Sequence, residues 1–164
     1  MSKIVTLSEE SITLPNGVEV EYQFVRHPGG SAVVALNEEG EVCLLRHYRP
    51  VANDWLWELP AGKRDDNEPP LQTAQRELHE EAGVEAANWQ ELGAVYSSPG
   101  VFTEVIHLYL ATGLSEVGNH PDEDELFELH WLPLPRALAM AQNGEISDAK
   151  TIIGIFRAVV RVAV

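Results

Sequence analysis

The sequence predicts a mixed α/β fold, a mixed β-sheet sandwiched between helices, with a small N-terminal β-unit. Three observations carry this. Short alternating or continuously apolar runs, broken by Gly, Pro and Asn, recur between residues 4 and 48 and again between residues 92 and 132. Between those two regions, residues 69–83 repeat apolar side chains at helical spacing. Two further helical stretches close the chain, and interleaved strands and helices bury their apolar faces by layering helices on a sheet.

In order along the chain, residues 4–7 and 18–25 read as strands joined across Pro15-Asn16-Gly17, a tight-turn sequence. Pro28-Gly29-Gly30 then breaks the chain and divides an N-terminal unit, residues 1–30, from a main domain, residues 31–164. A ribbon of two or three strands is marginal alone, so this unit should pack on something, and a partner subunit is one candidate. Residues 31–36 and 41–48 read as strands flanking a turn at 37–40. In the helix over 69–83, Pro69-Pro70 suits the first turn, where a missing N–H is no loss, and Gly83 suits the C-terminal cap. Leu71, Ala74, Leu78 and Ala82 form its expected core face. Strands follow near 92–96, 105–111 and 126–132, then helices near 134–142 and 148–162, the last with Ser147 as N-cap.

A chain of 164 residues suits one domain, and 45% hydrophobic with 23% charged residues is ordinary globular chemistry. The single cysteine, Cys43, lies in the apolar run Val42-Cys43-Leu44-Leu45 and reads as a buried structural thiol. The net charge of −15 disfavours nucleic-acid polymers and anionic membranes as partners. It does not exclude a phosphate substrate, because divalent cations held by carboxylates reverse the local field. Residues 151–164 are apolar but contain Arg157 and Arg161 and are too short to span a bilayer. With no apolar leader at the start, a cytoplasmic protein is expected.

Glu77, Glu80 and Glu81 stand at i, i+3 and i+4 of the first helix and project to one side, away from its expected core face. Like charges at that spacing repel, and only Arg76 offers a local cation. Mg²⁺ and Mn²⁺ take carboxylate oxygens, water and substrate phosphate as ligands, so such a cluster suits them; a solvated acidic helix face is the other reading.

The flanking residues decide between them. Gly62, five residues, Glu68, seven residues, Arg76-Glu77-Leu78, one residue, Glu80-Glu81, one residue, Gly83-Val84 resembles the Nudix signature without a departure. Arg46-His47-Tyr48-Arg49-Pro50 with Glu58-Leu59-Pro60-Ala61-Gly62 is similar to the ADP-ribose pyrophosphatase branch of that family. So are Ser98-Pro99-Gly100 with Glu104, Pro99 lying sixteen residues beyond Gly83, the acidic run 122–125, and the segment 143–149. The likeness runs through residues 31–160, and less specifically through the N-terminal strands.

The resemblance implies a Nudix fold, with metal ligands at Glu77 and Glu81, Glu80 close by, and the backbone carbonyl of Ala61. It implies a general base at Glu123, with Glu125 assisting the metals; in other branches the base lies in the helix, which points to Glu80. Arg76 should steady Glu80 or Glu77 by a charge-assisted hydrogen bond, and Glu68 should support the loop or a ligand water. Arg49 is the candidate phosphate contact, with a surface ion pair as the alternative; strand alternation places Arg46 on the opposite face. Pro99 and Glu104 belong to the expected substrate site. Trp57, Tyr22 and Phe24 are candidates to stack on a nucleobase, the last two across a homodimer interface, though each suits packing as well.

The expected activity is Mg²⁺-dependent hydrolysis of ADP-ribose to AMP and ribose 5-phosphate, with Mn²⁺ as a substitute. Another nucleoside diphosphate sugar such as GDP-mannose is the alternative substrate, since the box does not select the base or sugar. A non-catalytic nucleotide-sensing domain is a third reading, opposed by the intact box, the negative charge and the lack of a helix-turn-helix segment.

Overall fold

The computed structural model describes residues 5–118 and 126–162. Strands β1 (Thr6–Thr13) and β2 (Glu19–Arg26) form an antiparallel two-stranded sheet of their own, from Thr6 opposite Arg26 to Thr13 opposite Glu19. The main body follows as β3 (Gly30–Ala35), β4 (Glu41–Arg49), β5 (Asp54–Glu58), β6 (Ala61–Lys63), α1 (Pro70–Ala82), β7 (Val84–Tyr96), β8 (Val105–Glu116), β9 (Phe127–Pro133), α2 (Leu134–Asn143) and α3 (Ala149–Val162).

The body holds two sheets where the sequence suggested one. One has the order β6-β3-β8-β7, with β3 parallel to β8 and its other pairs antiparallel; the second has the order β5-β4-β9 and is antiparallel. They meet at the β3–β4 turn, where Leu36 and Val42 form a bridge. β3 is buried along its whole length. Its Ala32 and Val34 pack in a cluster with α2 and α3, while Val33 and Ala35 pack with Ala74, Leu78 and Ala82 of α1. A strand covered on both faces is apolar wherever a side chain has no bonding partner, which is why residues 32–35 read as a continuous apolar run, while the buried Ser31 is hydrogen-bonded. The helical layers on either face are therefore as the sequence predicts, and no helix among the described residues is long and apolar enough to cross a membrane.

Three local expectations are corrected, and two strands join those expected. β7 starts at Val84, directly after the left-handed Gly83 cap, and not near residue 92. It is an edge strand with a register shift between Glu91 and Gly93, so polar outward residues and the shift together hide its alternation. β5 and β6 are too short to show a period; long-range pairing with β4 and β3 makes them strands. The cap of α3 is Asp148 and not Ser147: its Oδ2 accepts the Thr151 N–H at 3.0 Å and the Thr151 hydroxyl at 2.6 Å. Leu71 is 36% exposed, while the buried stripe of α1 is Thr73, Ala74, Glu77, Leu78, Glu81 and Ala82. At about 100° per residue that set centres on Glu81 and Leu71 shares its face, but as the second residue of the helix it stands ahead of Thr73, where the buried stripe begins.

Candidate active site

The position of that stripe changes the reading of the acidic helix. Glu77 and Glu81 do not face away from the core; they are 8% and 2% exposed, and only Glu80 stands partly in solvent. What admits them is the strand beneath. β6 pairs with β3, Gly62 opposite Ser31 and Ala61 opposite Ala32, and α1 crosses above. A Cβ on Gly62 would lie 1.8 Å from Glu77 Oε1 and 2.1 Å from its Cδ, so the absent side chain is the space that the carboxylate fills. Glu81 Oε2 accepts the Ala61 N–H at 2.8 Å. Ser31 Oγ donates to the Pro70 carbonyl at 2.7 Å and fastens the start of the helix to the sheet.

Arg76 gathers the acidic groups. Its Nη1 donates to Glu77 Oε1 at 2.7 Å and to Glu80 Oε2 at 3.1 Å, so it reaches both of its expected partners. Nε and Nη2 donate to the two oxygens of Glu68, each at 3.1 Å, and Nη2 also to the Lys63 carbonyl. Glu68 accepts the Thr73 hydroxyl and the Asp65 N–H as well, which buckles the loop between β6 and α1. These bonds, first those from Arg76, hold the Glu68 carboxyl down at about 2 against the opposing effect of burial. The bonds to Glu68 and the charge of Glu77 raise Arg76 further above its already high value.

Across the cleft stands a second charged group. Arg49 Nε and Nη2 donate to Glu58 Oε1 and Oε2 at 2.7 and 2.8 Å, and Lys150 Nζ donates to Glu58 Oε2 at 2.6 Å. Lys150 Nζ lies 3.1 Å from Asp148 Oδ1, and the Thr151 hydroxyl, bonded to Asp148, accepts the Leu59 N–H at 2.9 Å. The Glu58 side chain is 3% exposed. Burial works to raise its carboxyl, but the Arg49 bonds and the charges of Lys150 and Arg49 prevail and hold it at about 2. Burial likewise works to lower Lys150, and attraction to Asp148 and Glu58 overrides it and raises the ammonium. Sequence alone gives no role to Glu58, which enters only within the motif Glu58-Leu59-Pro60-Ala61-Gly62, and does not mark Lys150. One signal was present: a lysine in the first turn of an apolar helix opposes the helix dipole, so it calls for anionic partners.

The two walls enclose a cleft of about 490 Å³. Ala61, Gly62, Arg76, Glu77 and Glu80 line one side; Arg49, Asp148 and Lys150 line the other. Glu104 and His27 stand at the rim, with Glu104 Oε1 3.2 Å from His27 Nδ1, beside Tyr96, which is 64% exposed. Glu81 sits behind the Ala61 strand. Tyr96 is the one aromatic side chain lining the cleft among the described residues.

Within one chain, several expected substrate contacts do not line this cleft. Trp57 packs between Arg46, 5.3 Å from its ring, and His130, 5.0 Å away, on the face of β4 opposite Arg49. Tyr22 and Phe24 lie on the hairpin, where the Tyr22 hydroxyl donates to the Gly100 carbonyl at 3.3 Å and Arg26 covers Phe24. Pro99 is exposed in the same loop and does not line the cleft. Local sequence marks aromatic residues; only the pairing of strands decides which one meets the cleft. Glu123 and Glu125 lie outside the described residues. The chain is described again from Leu126, whose carbonyl accepts the Tyr48 N–H at 2.9 Å, next to Arg49.

The donors present fit a hard divalent cation: buried carboxylates backed by a glycine cradle, a further half-exposed carboxylate, and a backbone carbonyl, all oxygen. Among the described residues no three His, Cys, Asp or Glu side chains are already gathered as ligands of one ion, and Arg76 holds oxygens of Glu77 and Glu80.

The chain matches the NUDIX domain family model over residues 26–153. It is 39% identical over 155 residues to a methanol dehydrogenase activator of Bacillus methanolicus, covering 93% of this chain and 84% of that one. It is 38% identical over 155 residues to an ADP-ribose pyrophosphatase of Bacillus subtilis, with the same shares covered. A GDP-mannose pyrophosphatase of Citrobacter koseri is 33% identical over 87% of this chain and 80% of its own. Among solved structures, one described as an ADP compounds hydrolase superposes with a TM-score of 0.82 over 99% of this chain and 89% of that one, at 21% identity, and so is alike in fold.

Proposed function

The chain belongs to the Nudix family, and from that premise we propose that it hydrolyses the diphosphate linkage of ADP-ribose, releasing AMP and ribose 5-phosphate. The observation that carries the proposal is the pair of buried carboxylates, Glu77 seated on Gly62 and Glu81 behind Ala61, at the wall of a cleft that has cations on its other side. Arg76 holds Glu77 and the Ala61 N–H holds Glu81, so both carboxylates are fixed in place beside the cleft, where oxygen ligands suit a hard divalent cation.

Glu77, Glu81 and Glu80, with the Ala61 carbonyl, would hold Mg²⁺, or Mn²⁺ in its place, which supplies neutralisation of phosphate charge and acidification of water. Arg76 keeps Glu77 and Glu80 in place. Glu58 takes the Nε–Nη2 side of Arg49, so Arg49 keeps its other N–H groups for a phosphate oxygen. Glu123 is the proposed base that takes the proton of the attacking water, with Glu80 as the alternative and Glu125 assisting the metals. An oxygen–phosphorus bond forms to water, the bridging bond to one phosphate breaks, and the two phosphates part as AMP and ribose 5-phosphate. Tyr96, at the open rim, is placed to stack on a nucleobase, a part that the sequence reading gave to Trp57, Tyr22 and Phe24. Glu104 stands where a ribose hydroxyl would find an acceptor.

The same reading takes residues 1–30 as a dimerisation unit and places the protein in the cytoplasm. The hairpin leaves Leu7 67%, Val18 51% and Tyr22 42% exposed, which supports a homodimer. GDP-mannose is the second substrate reading, supported by the Citrobacter koseri relative. The test is a hydrolysis panel with Mg²⁺ over ADP-ribose, GDP-mannose, NADH and diadenosine polyphosphates, with product identification. AMP and ribose 5-phosphate formed fastest from ADP-ribose is the expected result. Preference for GDP-mannose would replace the substrate, and tight binding of ADP-ribose without AMP release would make the protein a sensor.

A further inference from the structure

We infer that Glu58 is a positioning residue: it holds Arg49 and Lys150 together on the wall facing α1, so that both cations meet an incoming diphosphate and do not collapse onto the α1 carboxylates. This rests on the diphosphate-cleaving reading above and adds a residue and a task to it.

The argument starts from an electrostatic problem. Within one cleft of about 490 Å³ the chain places acidic residues of α1 on one side and two cations on the other. Long basic side chains facing carboxylates pair with them unless something holds them back, and the negative charge of Glu81 already acts on Arg49. Glu58 supplies the restraint. It is anchored in β5 opposite Leu45 of β4, its side chain is 3% exposed, and it accepts three hydrogen bonds, two from Arg49 and one from Lys150. Its neighbour Leu59 is tied through Thr151 to Asp148, so both ends of the Lys150 restraint belong to one network across β4, β5 and α3.

The donors left over fit the task. A guanidinium has five N–H groups, of which Glu58 takes two; an ammonium has three, and Lys150 Nζ has Glu58 and Asp148 within reach. Among the described residues each cation therefore keeps donor capacity for a phosphate oxygen while staying oriented. A buried ion pair with no further role would have no reason to line a cleft, yet Arg49 and Lys150 both do.

The test measures binding of ADP with Mg²⁺ by titration calorimetry on the full chain, alongside KM and kcat for ADP-ribose. Glu58→Gln should weaken ADP binding by about tenfold or more, the scale of removing one charge-assisted hydrogen bond, and should raise KM more than it lowers kcat. Lys150→Met should also weaken binding, and the double variant should be little worse than Glu58→Gln alone, because an unrestrained Lys150 no longer contributes. Unaltered ADP affinity in Glu58→Gln, or simple addition of the two effects, would overturn the inference; so would a lowered melting temperature with affinity intact. Should Glu58→Gln fail to fold, Glu58→Asp keeps the charge but draws it back by one methylene, and wild-type affinity in that variant would count against the inference equally. A wild-type protein that binds ADP but cleaves no member of the panel defeats the functional reading alone, whereas one that does not bind ADP defeats this inference.

Discussion

At Gly62 a hydrogen stands where any other residue would put a carbon, and the carboxylate of Glu77 fills that space. Gly30 repeats the device one strand over, where a Cβ would come 2.5 Å from the Gly62 carbonyl oxygen. Gly62→Ala must therefore push Glu77 out of its seat. The expected outcome is a loss of about 1–3 kcal/mol in urea unfolding, the usual scale of overpacking, with a much larger fall in turnover. Retained activity would mean that Glu77 need not lie there. Glu81→Gln separates function from folding differently. The amide oxygen can still accept the Ala61 N–H, so circular dichroism should stay native while turnover at saturating Mg²⁺ drops by orders of magnitude. Wild-type turnover would remove Glu81 from the site.

Among the elements, α3 shows how a helix terminus serves the cleft. Asp148 caps the helix through Thr151 and also holds Lys150, so a single carboxylate sets the start of the helix and the direction of a cation. Asp148→Ala should cost about 1 kcal/mol by removing the cap, read by denaturant titration, and should weaken substrate binding as well. An effect on stability without one on KM would show that Lys150 needs only Glu58. The β1–β2 hairpin poses a different question, since its apolar residues lie open on a sheet of only two strands. The full chain should sediment as a dimer, and Leu7→Glu should shift it toward monomer; a wild-type monomer at micromolar concentration would dismiss the hairpin as an interface.

Over the whole molecule, acid stability follows from the two buttressed carboxyls. Glu58 and Glu68 both stand at about 2, down from 4.5. A lowered native value means that the unfolded chain binds protons first as pH falls, so stability is fully present above about 4.5 and is lost on the way down to about 2. Denaturant midpoints measured across that window should decline with falling pH in the wild type and decline less in Glu58→Gln. Equal slopes would mean that Glu58 is not held ionised by Arg49 and Lys150. The formal charge of −15 adds a repulsion that acid relieves, so the comparison between the two proteins, and not the wild-type curve alone, isolates the Glu58 contribution.

Much of this is legible in the sequence. The loop–helix signature from Gly62 to Val84 marked the family, because glycines and carboxylates at fixed spacing are local requirements of one short unit. The continuous apolar run of β3 and the caps of α1 were legible for the same reason, since burial on two faces and helix ends leave local traces. The sequence could not say that Glu77 and Glu81 point inward, that β7 begins at Val84, or that Trp57 turns its ring away from the cleft while Tyr96 lines it. Nor could it bring Glu58 to Lys150, 92 residues apart along the chain. Residue types and spacing determine which chemistry a segment can perform. Which side chains share a cavity is decided by strand pairing and helix placement, because these join positions whose separation in sequence carries no trace of their distance in space.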